Sequence, residues 1–340
     1  MKKYLLPEKG NYYKANLHCH TNLSDGILSP EEVKELYLSL GYSIVAYTDH
    51  DIFLPHPELC DEKFLALNGF EVEVNEPAGE NSRDKTCHFC SIALDPATEI
   101  QPTWHRTKYL FRNAPKYAGL VKFDETQPDF EREYTGERIS EQMKLCREAG
   151  FFVTYNHPTW SCENYNDYIN YHGMNAFEMF NGACNAEGYE DYNPRVYDDI
   201  LREGERIFCV GGDDNHNALR NKGKRRYDSG WAWTSIKAES LEYKKITAAL
   251  AAGDFYASEG PEIKELWYED GKVYIKCSDA DSIAYISGRR HREYVLSEEE
   301  ETVSEAVFSV RPTDIYFRLT VTDKRGKHAC TNAYFVDTLE

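Results

Sequence analysis

The chain has 340 residues, 41% of them hydrophobic and 29% charged, which is ordinary globular composition with enough apolar material for a sizeable core. Asp and Glu number 58 against 39 Lys and Arg, a formal net charge of -19, so sequence-independent binding of extended nucleic acid through a broad basic face is not expected. A small phosphorylated substrate stays compatible with this acidity, because bound metal cations invert the local field.

The opening stretch MKKYLLPEKG has no apolar run of signal-peptide length, and no segment approaches the ~20 apolar residues of a membrane span. Ten cysteines are scattered without a small-domain disulfide spacing, so we expect reduced thiols, a cytoplasmic location and no membrane partner. From the start to about Gly260, short strand-like runs alternate with amphipathic helical patterns. The run Ala15 to His20 reads as a strand. Ser29-Pro30-Glu31-Glu32 is a capping box with proline at the first helical position, and Val33, Leu36, Tyr37 and Leu40 follow on one helical face until Gly41. Ser43 to Tyr47 is a second strand, ending at Thr48-Asp49-His50. The segment from about Glu76 to Arg138 has weak periodicity and reads either as an insertion covering a site or as an irregular surface loop.

The same rhythm returns after it. Ser140 is a candidate cap for a helix carrying Met143, Cys146 and Ala149 and ending at Gly150. The strand Phe151 to Tyr155 then runs into Asn156-His157-Pro158. Ala176 to Phe180 and Ile207 to Val210 are further strands, and Ser240 opens a helix with Tyr243, Ile246, Thr247 and Leu250 on one face. This alternation predicts βα units and a mainly parallel sheet over residues 1–260. After Gly260-Pro261 the helical period vanishes. Lys272 to Cys277, Ile283 to Ser287, Glu305 to Val310, Ile315 to Thr322 and Ala333 to Val336 read as strands of a small antiparallel, sandwich-like β domain over 261–340.

The histidines are placed unevenly. His18 and His20 form an H-x-H pair whose alternation lets both imidazoles reach one ion while Cys19 points away. Asp25 follows in a loop, His50 ends the next strand, and Glu71 starts another apolar run. His88, His157, Asp214 and His216 complete the series. In a parallel α/β fold successive strand ends converge on one edge. Six histidines and several carboxylates there predict a cluster of divalent metals, with zinc, iron or manganese suited to mixed ligands and Glu71 able to bridge two ions. Asp-rich loops and single histidines are more often turns and surface groups; the ordered recurrence at successive strand ends is what points to a site.

This set, His18-Cys19-His20-Thr21 through Asp25-Gly26, Thr48-Asp49-His50-Asp51, Gly69-Phe70-Glu71, His88, Asn156-His157-Pro158 and Asp214-Asn215-His216, resembles the motif series of the polymerase and histidinol phosphatase (PHP) family over about residues 14–258. Gly230-Trp231-Ala232-Trp233-Thr234 and Ala257-Ser258-Glu259-Gly260-Pro261 resemble the ending of its stand-alone metal-dependent phosphoesterase branch. The resemblance implies an α/β fold, a distorted (β/α)7 barrel of PHP type with a C-terminal β domain, and two or three divalent metals. By motif, His18, His20, Glu71 and Asp214 would hold one metal, Glu71, His88 and His157 a second, and Asp25, His50 and His216 a third. The adjacent Asp213 is the fallback for Asp214, although the D-x-H spacing favours Asp214.

The expected activity is hydrolysis of a small phosphomonoester or short nucleotide phosphodiester by a metal-bridging hydroxide, with His216 or Asp25 supplying a proton to the leaving group. Hydrolysis of a non-phosphate bond, an exonuclease and a non-catalytic metal-binding scaffold are the alternatives. Cys87-x-x-Cys90 around His88 reads as two thiols beside a ligand rather than a separate zinc or redox site. The basic run Asn221 to Arg226 is either a grip on substrate or a solvated loop. Glu178-x-x-Asn181-Gly182 is either a positioning element or a turn, and Trp160, Trp231 and Trp233 either stack on substrate or fill core. His105, His172, His291 and His328 match no motif. Dinucleotide, P-loop and serine-hydrolase signatures are absent from the sequence.

Overall fold

The computed structural model describes residues 2–80, 82–218, 228–299 and 301–339; the run Asn221 to Arg226 lies outside the described residues. The strands of the first part are β1 (Lys3–Tyr4), β2 (Asn11–Asn16), β3 (Ile44–Tyr47), β4 (Leu65–Asn75), β5 (Thr86–Ala93), β6 (Phe151–Tyr155), β7 (Ala176–Asn181), β8 (Phe208–Gly212), β9 (Trp233–Ala238) and β10 (Phe255–Ser258). Then come β11 (Ile263–Glu269), β12 (Lys272–Ala280), β13 (Ser282–Ser287), β14 (Arg292–Leu296), β15 (Val303–Ser309), β16 (Tyr316–Thr322), β17 (His328–Thr331) and β18 (Tyr334–Phe335). The helices are α1 (Pro30–Ser39), α2 (Gly136–Glu148), α3 (Tyr165–Tyr168), α4 (Gly182–Glu187), α5 (Pro194–Arg202) and α6 (Tyr243–Ala252). None of the described helices is long and apolar enough to cross a membrane.

The fold is mixed α/β, with one large sheet and a separate antiparallel sheet. The large sheet runs β14-β13-β16-β17-β10-β9-β2-β3-β4-β5-β6-β7-β8, with β18 on β16. The sheet is less parallel than the sequence rhythm predicts. β2–β3–β4 and β6–β7–β8 are parallel, whereas β5 is antiparallel to both β4 and β6, and β9 is antiparallel to β2. The link from Asn75 to Thr86 is a short return and not a helical crossover, which forces the antiparallel pairing. No closed barrel ladder is formed among the described residues. The edge strand β8 does reach back to β2, which lies inside the sheet order: just past the two strands Asp214 N–H donates to His18 O (2.9 Å) and His20 N–H to Asn215 O (3.0 Å). Gly212 permits this approach, since a Cβ there would lie 3.0 Å from His18 Cβ and 3.1 Å from Glu178 Oε1.

Local sequence explains the elements around that edge. Ser29 caps α1 reciprocally with Glu32, and Val33 and Tyr37 are its buried residues on the predicted apolar face. β3 is buried at all four positions, as expected of a strand covered on both faces. α2 starts earlier than predicted. Thr135 is its cap, and Ser140 sits inside the helix, bonding back to Gly136 O. β2 likewise stops at Asn16, so His18 and His20 lie just beyond the strand and not within it.

The small sheet orders β1-β11-β12-β15 and packs against the continuation of the large one. Ile263, Leu266, Val273, Ile275 and Phe308 meet Ile283, Tyr285, Phe317, Leu319 and Val321 in a shared core between the two layers. β17 pairs with β10, so hydrogen bonding is continuous between the N-terminal and C-terminal parts. A buried bidentate pair, Arg318 Nε–Asp198 Oδ1 (2.9 Å) and Nη2–Asp198 Oδ2 (3.0 Å), ties β16 to α5.

Beyond β6, the Glu163 carboxyl accepts hydrogen bonds from Tyr134, Tyr155 and Tyr171. Burial pushes it from 4.5 up to about 7, against the pull of the three phenols. The folded state therefore holds this proton more tightly than the unfolded chain, and stability contributed below pH 4.5 is lost as pH rises toward 7. Urea unfolding at pH 5 and pH 8 is expected to show a pH-dependent loss of about 3 kcal/mol that Glu163→Gln, always neutral, removes. Equal pH slopes in the two proteins would contradict this.

Candidate metal centre

The nine sequence-predicted residues are gathered at one edge of the sheet. His18 and His20 leave the end of β2, His50 follows β3, Glu71 sits within β4, His88 within β5 and His157 follows β6. Asp214 and His216 follow β8. Asp25 arrives on a loop held by Asp49, whose carboxylate accepts from Thr21 N–H (2.8 Å), Thr21 Oγ1, Ser24 N–H and Ser24 Oγ (2.6 Å). Cys19 faces away, packed in the core with Tyr37 and Tyr47, although it lies beyond the end of β2.

Glu71 is at the centre and buried. Its Oε1 lies 3.1 Å from His18 Nε2, 3.3 Å from His88 Nδ1 and 3.4 Å from His157 Nε2, and accepts from Asn156 Nδ2 (2.8 Å). Its Oε2 lies 3.1 Å from His20 Nε2 and 3.3 Å from His50 Nδ1. Asp214 Oδ1 is 3.2 Å from His18 Nε2 and 3.1 Å from His20 Nε2. Asp25 Oδ2 is 3.1 Å from His216 Nε2 and 3.8 Å from His50 Nε2.

These donor atoms form four overlapping groups, each within 4.8 Å: His18–His20–Glu71–Asp214, His20–Asp25–His50–His216, His50–Glu71–His88 and His18–His157–Glu178. The first matches the set implied by resemblance. The second adds His20 to the implied third set. For the implied set of Glu71, His88 and His157, both rings face the same Glu71 oxygen, but the tight groups place His88 with His50 and His157 with His18 and Glu178.

The proton inventory favours cations here. Glu178 Oε1 lies 3.0 Å from His18 Nδ1 and so holds that ring's proton, which turns the Nε2 lone pair toward Glu71, Asp214 and His20 Nε2, itself 3.2 Å away. His216 Nδ1 likewise donates to Asp214 O (2.9 Å), aiming Nε2 at Asp25. Lone pairs and carboxylates thus converge with little to separate them. Several buried polar atoms, among them His20 Nδ1, His50 Nδ1, Glu71 Oε2, His88 Nε2 and His157 Nε2, have close neighbours but no hydrogen bond. Burial disfavours charge throughout, yet the His18 and His20 rings are held well above the usual imidazole range, chiefly by Asp214 with Glu71. Glu71 and Asp214 are held well below the carboxylate range by the facing imidazoles. Burial and then the neighbouring His20 push His50 down to about 3. The cluster demands positive charge, which divalent ions supply better than protons on crowded rings. The residues therefore fit a divalent-metal site. Asp214 and His157 also have positive φ, 52° and 24°, a strain the surrounding contacts hold in place.

Asp213 and Asp214 have separate tasks. Asp213 accepts from the amides of Gly230 (2.6 Å), Trp231 (2.9 Å) and Ala232 (2.9 Å) and lies 2.9 Å from Tyr37 Oη, away from the cluster. Of the two readings for Glu178, the structure supports positioning: besides His18 it accepts from His157 N–H and Asn181 Nδ2. Glu178→Gln is expected to weaken metal affinity by about 10- to 100-fold with the fold intact, measured by competition with a chromogenic chelator. Unchanged affinity would remove Glu178 from the site.

A cleft of about 560 Å³ opens over the cluster. Its walls include Trp160, edge-on to His88 and His157, and Phe111, edge-on to His50. Phe111, Arg112 and Asn113 come from the stretch between β5 and α2, so part of that weakly patterned segment does cover the site. Asn113 anchors it through its N–H to Ser24 O (2.9 Å) and its Nδ2 to Asn22 O (3.1 Å). Cys87 and Cys90 are buried free thiols beside His88, and Asn156 Nδ2 contacts Cys90 Sγ. Of the histidines matching no motif, His105 pairs with Glu131, His172 with Glu205 and His291 with Asp314, while His328 bonds Thr322.

No family model and no curated protein matches the chain. Among solved structures it is similar to a two-domain protein from Bacteroides vulgatus described as containing a predicted PHP-like metal-dependent phosphoesterase, at 14% identity and TM-score 0.46, over 98% of each chain. It is also similar to a candidate metal-dependent phosphoesterase from Bifidobacterium adolescentis, at 18% identity and TM-score 0.39, over 64% of this chain and 90% of that one. An amidohydrolase from Chromobacterium violaceum matches at 16% identity and TM-score 0.34, over 59% of this chain and 87% of that one. The solved structures to which this chain is similar thus include two described as metal-dependent phosphoesterases, one of them as PHP-like.

Proposed function

We propose that the protein is a PHP-type metal-dependent phosphoesterase acting on a small phosphomonoester or a short nucleotide phosphodiester. The observation that carries this reading is the buried convergence of six imidazoles on Glu71, Asp214 and Asp25 at the floor of an open cleft. Two or three zinc, manganese or iron ions are the proposed occupants, held by His18, His20, Asp25, His50, Glu71, His88, His157, Asp214 and His216. Divalent ions bound there would lower the pKa of water and neutralise phosphoryl charge. The chain's own residues do the rest. Glu178 fixes the His18 ring, Asn156 fixes Glu71, and Asp49 fixes the loop that presents Asp25. His216 or Asp25, 3.1 Å apart at the cleft wall, is the proposed proton source for the leaving oxygen when two ions are bound and the third place is free. We further propose that the strands of residues 1–260 form a distorted (β/α)7 barrel, that 261–340 form an appended β unit, and that the ten free cysteines reflect work in a reducing cytoplasm.

The test is metal content of the purified protein paired with hydrolysis of an aryl phosphate and its diester. Two or three ions per chain, and turnover lost on chelation and regained on metal addition, are expected. Turnover that survives complete metal removal would overturn the proposal.

A further inference from the structure

A second, unrelated cleft of about 510 Å³ lies on the C-terminal part of the fold, lined by Arg202, Gly288, Arg289, Arg290 and Arg292. Four guanidinium groups around one opening are unusual in a chain whose net charge is -19. They come from two places: Arg202 from the end of α5, and the others from the β13–β14 hairpin. The hairpin is pinned against Tyr316. Gly288 N–H donates to Tyr316 O (2.9 Å) and Asp314 O (3.1 Å), and a Cβ on Gly288 would meet the Tyr316 ring at 2.8 Å. Arg292 Nη1 donates to Ser287 O (2.6 Å) and Arg289 O (3.0 Å), which fixes the turn and leaves the rest of that guanidinium available.

The nearby carboxylates are already committed. Asp198 is bidentate to the buried Arg318, and Asp199 is bound by Arg195 Nε through both oxygens at 2.7 Å. Asp314 and Glu293 both face His291. Arg202 reaches Asp198 and Asp199 only at 3.6 and 3.5 Å, and no ion pair of Arg289, Arg290 or Arg292 is found among the described residues. Burial, with Arg202 and Arg318 close by, pulls Arg292 below its usual value although Asp198 opposes this. The cleft therefore carries an excess of positive charge that the protein itself does not balance. Guanidinium forks match pairs of phosphate oxygens, and arginine is used here to the exclusion of lysine.

We propose that this cleft is an anion site, separate from the metal centre, that binds a diphosphate group carried free or on a nucleotide. No aromatic side chain lines it, so it recognises the phosphates and leaves a base unread.

The experiment is calorimetric titration with pyrophosphate and with adenosine diphosphate of the wild-type protein, of Glu71→Ala, and of the double variant Arg289→Ala/Arg290→Ala. Binding retained in Glu71→Ala, weakened at least tenfold in the double variant, and similar for the two ligands is the expected result. Aryl phosphate hydrolysis by the double variant should match wild type, which keeps this test independent of the metal-centre reading. Arg202→Ala, on a different element, should weaken binding as well. Pyrophosphate binding that is unaffected by the arginine substitutions, or that disappears in Glu71→Ala, would overturn the proposal. So would binding of an oligonucleotide in the absence of any pyrophosphate binding.

Discussion

Glu71→Ala is expected to strip the cleft of metal and to lower turnover by about 1,000-fold or more, the scale of losing transition-state charge stabilisation by bound ions. No other side chain in the cluster touches so many partners. Its two oxygens divide the site, Oε1 toward His18, His88 and His157 and Oε2 toward His20 and His50. Removing the carboxylate therefore weakens two of the four ligand groups at once, whereas losing His216 or His88 touches one group each. Glu71→Gln is the informative companion. It keeps the volume and one acceptor oxygen but loses the charge that faces five imidazoles. Metal content should fall in both variants, more steeply in alanine, while the far-ultraviolet circular dichroism stays that of the wild type. A Glu71→Ala protein that keeps its metals and its turnover would end the bridging assignment.

The legible part of the site is the part whose chemistry is written in spacing. H-x-H, D-x-H and the Asn-His-Pro turn each put ligand types at strand ends, and those residues do converge. The supporting residues are less legible for a physical reason. Glu178 differs from any other strand glutamate only through what folds beside it, and the His18 ring that it orients is 160 residues away. Asn156 and Asp49 act through hydrogen bonds that no local pattern announces. Strand direction is not legible in this sequence, because a strand buried on both faces looks alike in either orientation. β5, Thr-Cys-His-Phe-Cys-Ser-Ile-Ala, is buried at every position and shows no alternation. The short connection from Asn75 to Thr86 was the available sign that β5 turns back. Strand ends shifted too: β2 stops at Asn16 because the chain then joins Thr48, Asp214 and Asn215 instead of continuing one ladder. Helix α1 was clear, since Ser29, Pro30 and Glu32 act within one turn.

The adjacent aspartates allow the sharpest separation of stability from metal binding. Asp213 and Asp214 are chemically identical neighbours, and sequence alone offers only the D-x-H spacing to tell them apart. Their surroundings differ completely. Asp213 is fully buried and satisfies three backbone amides of the segment from Gly230 to Ala232, with Tyr37 Oη beside it. Replacing it with alanine takes from those donors the buried carboxylate that accepts from all three. Unmade hydrogen bonds of this kind cost about 1–3 kcal/mol each, so a loss of about 3 kcal/mol or more is expected. Asp214 instead faces His18 and His20, and its φ of 52° is a strained conformation for a non-glycine residue. Asp214→Ala should cost little stability in the metal-free protein but should lower metal content and turnover together. Asp214→Gly relaxes the backbone as well and should be at least as stable as the alanine variant in the metal-free form. Denaturant unfolding after chelation, beside metal analysis of the folded fraction, reads both quantities. The folded fraction of Asp213→Ala is expected to keep its ions. If Asp213→Ala lost metal at unchanged stability while Asp214→Ala unfolded, the two roles would have to be exchanged.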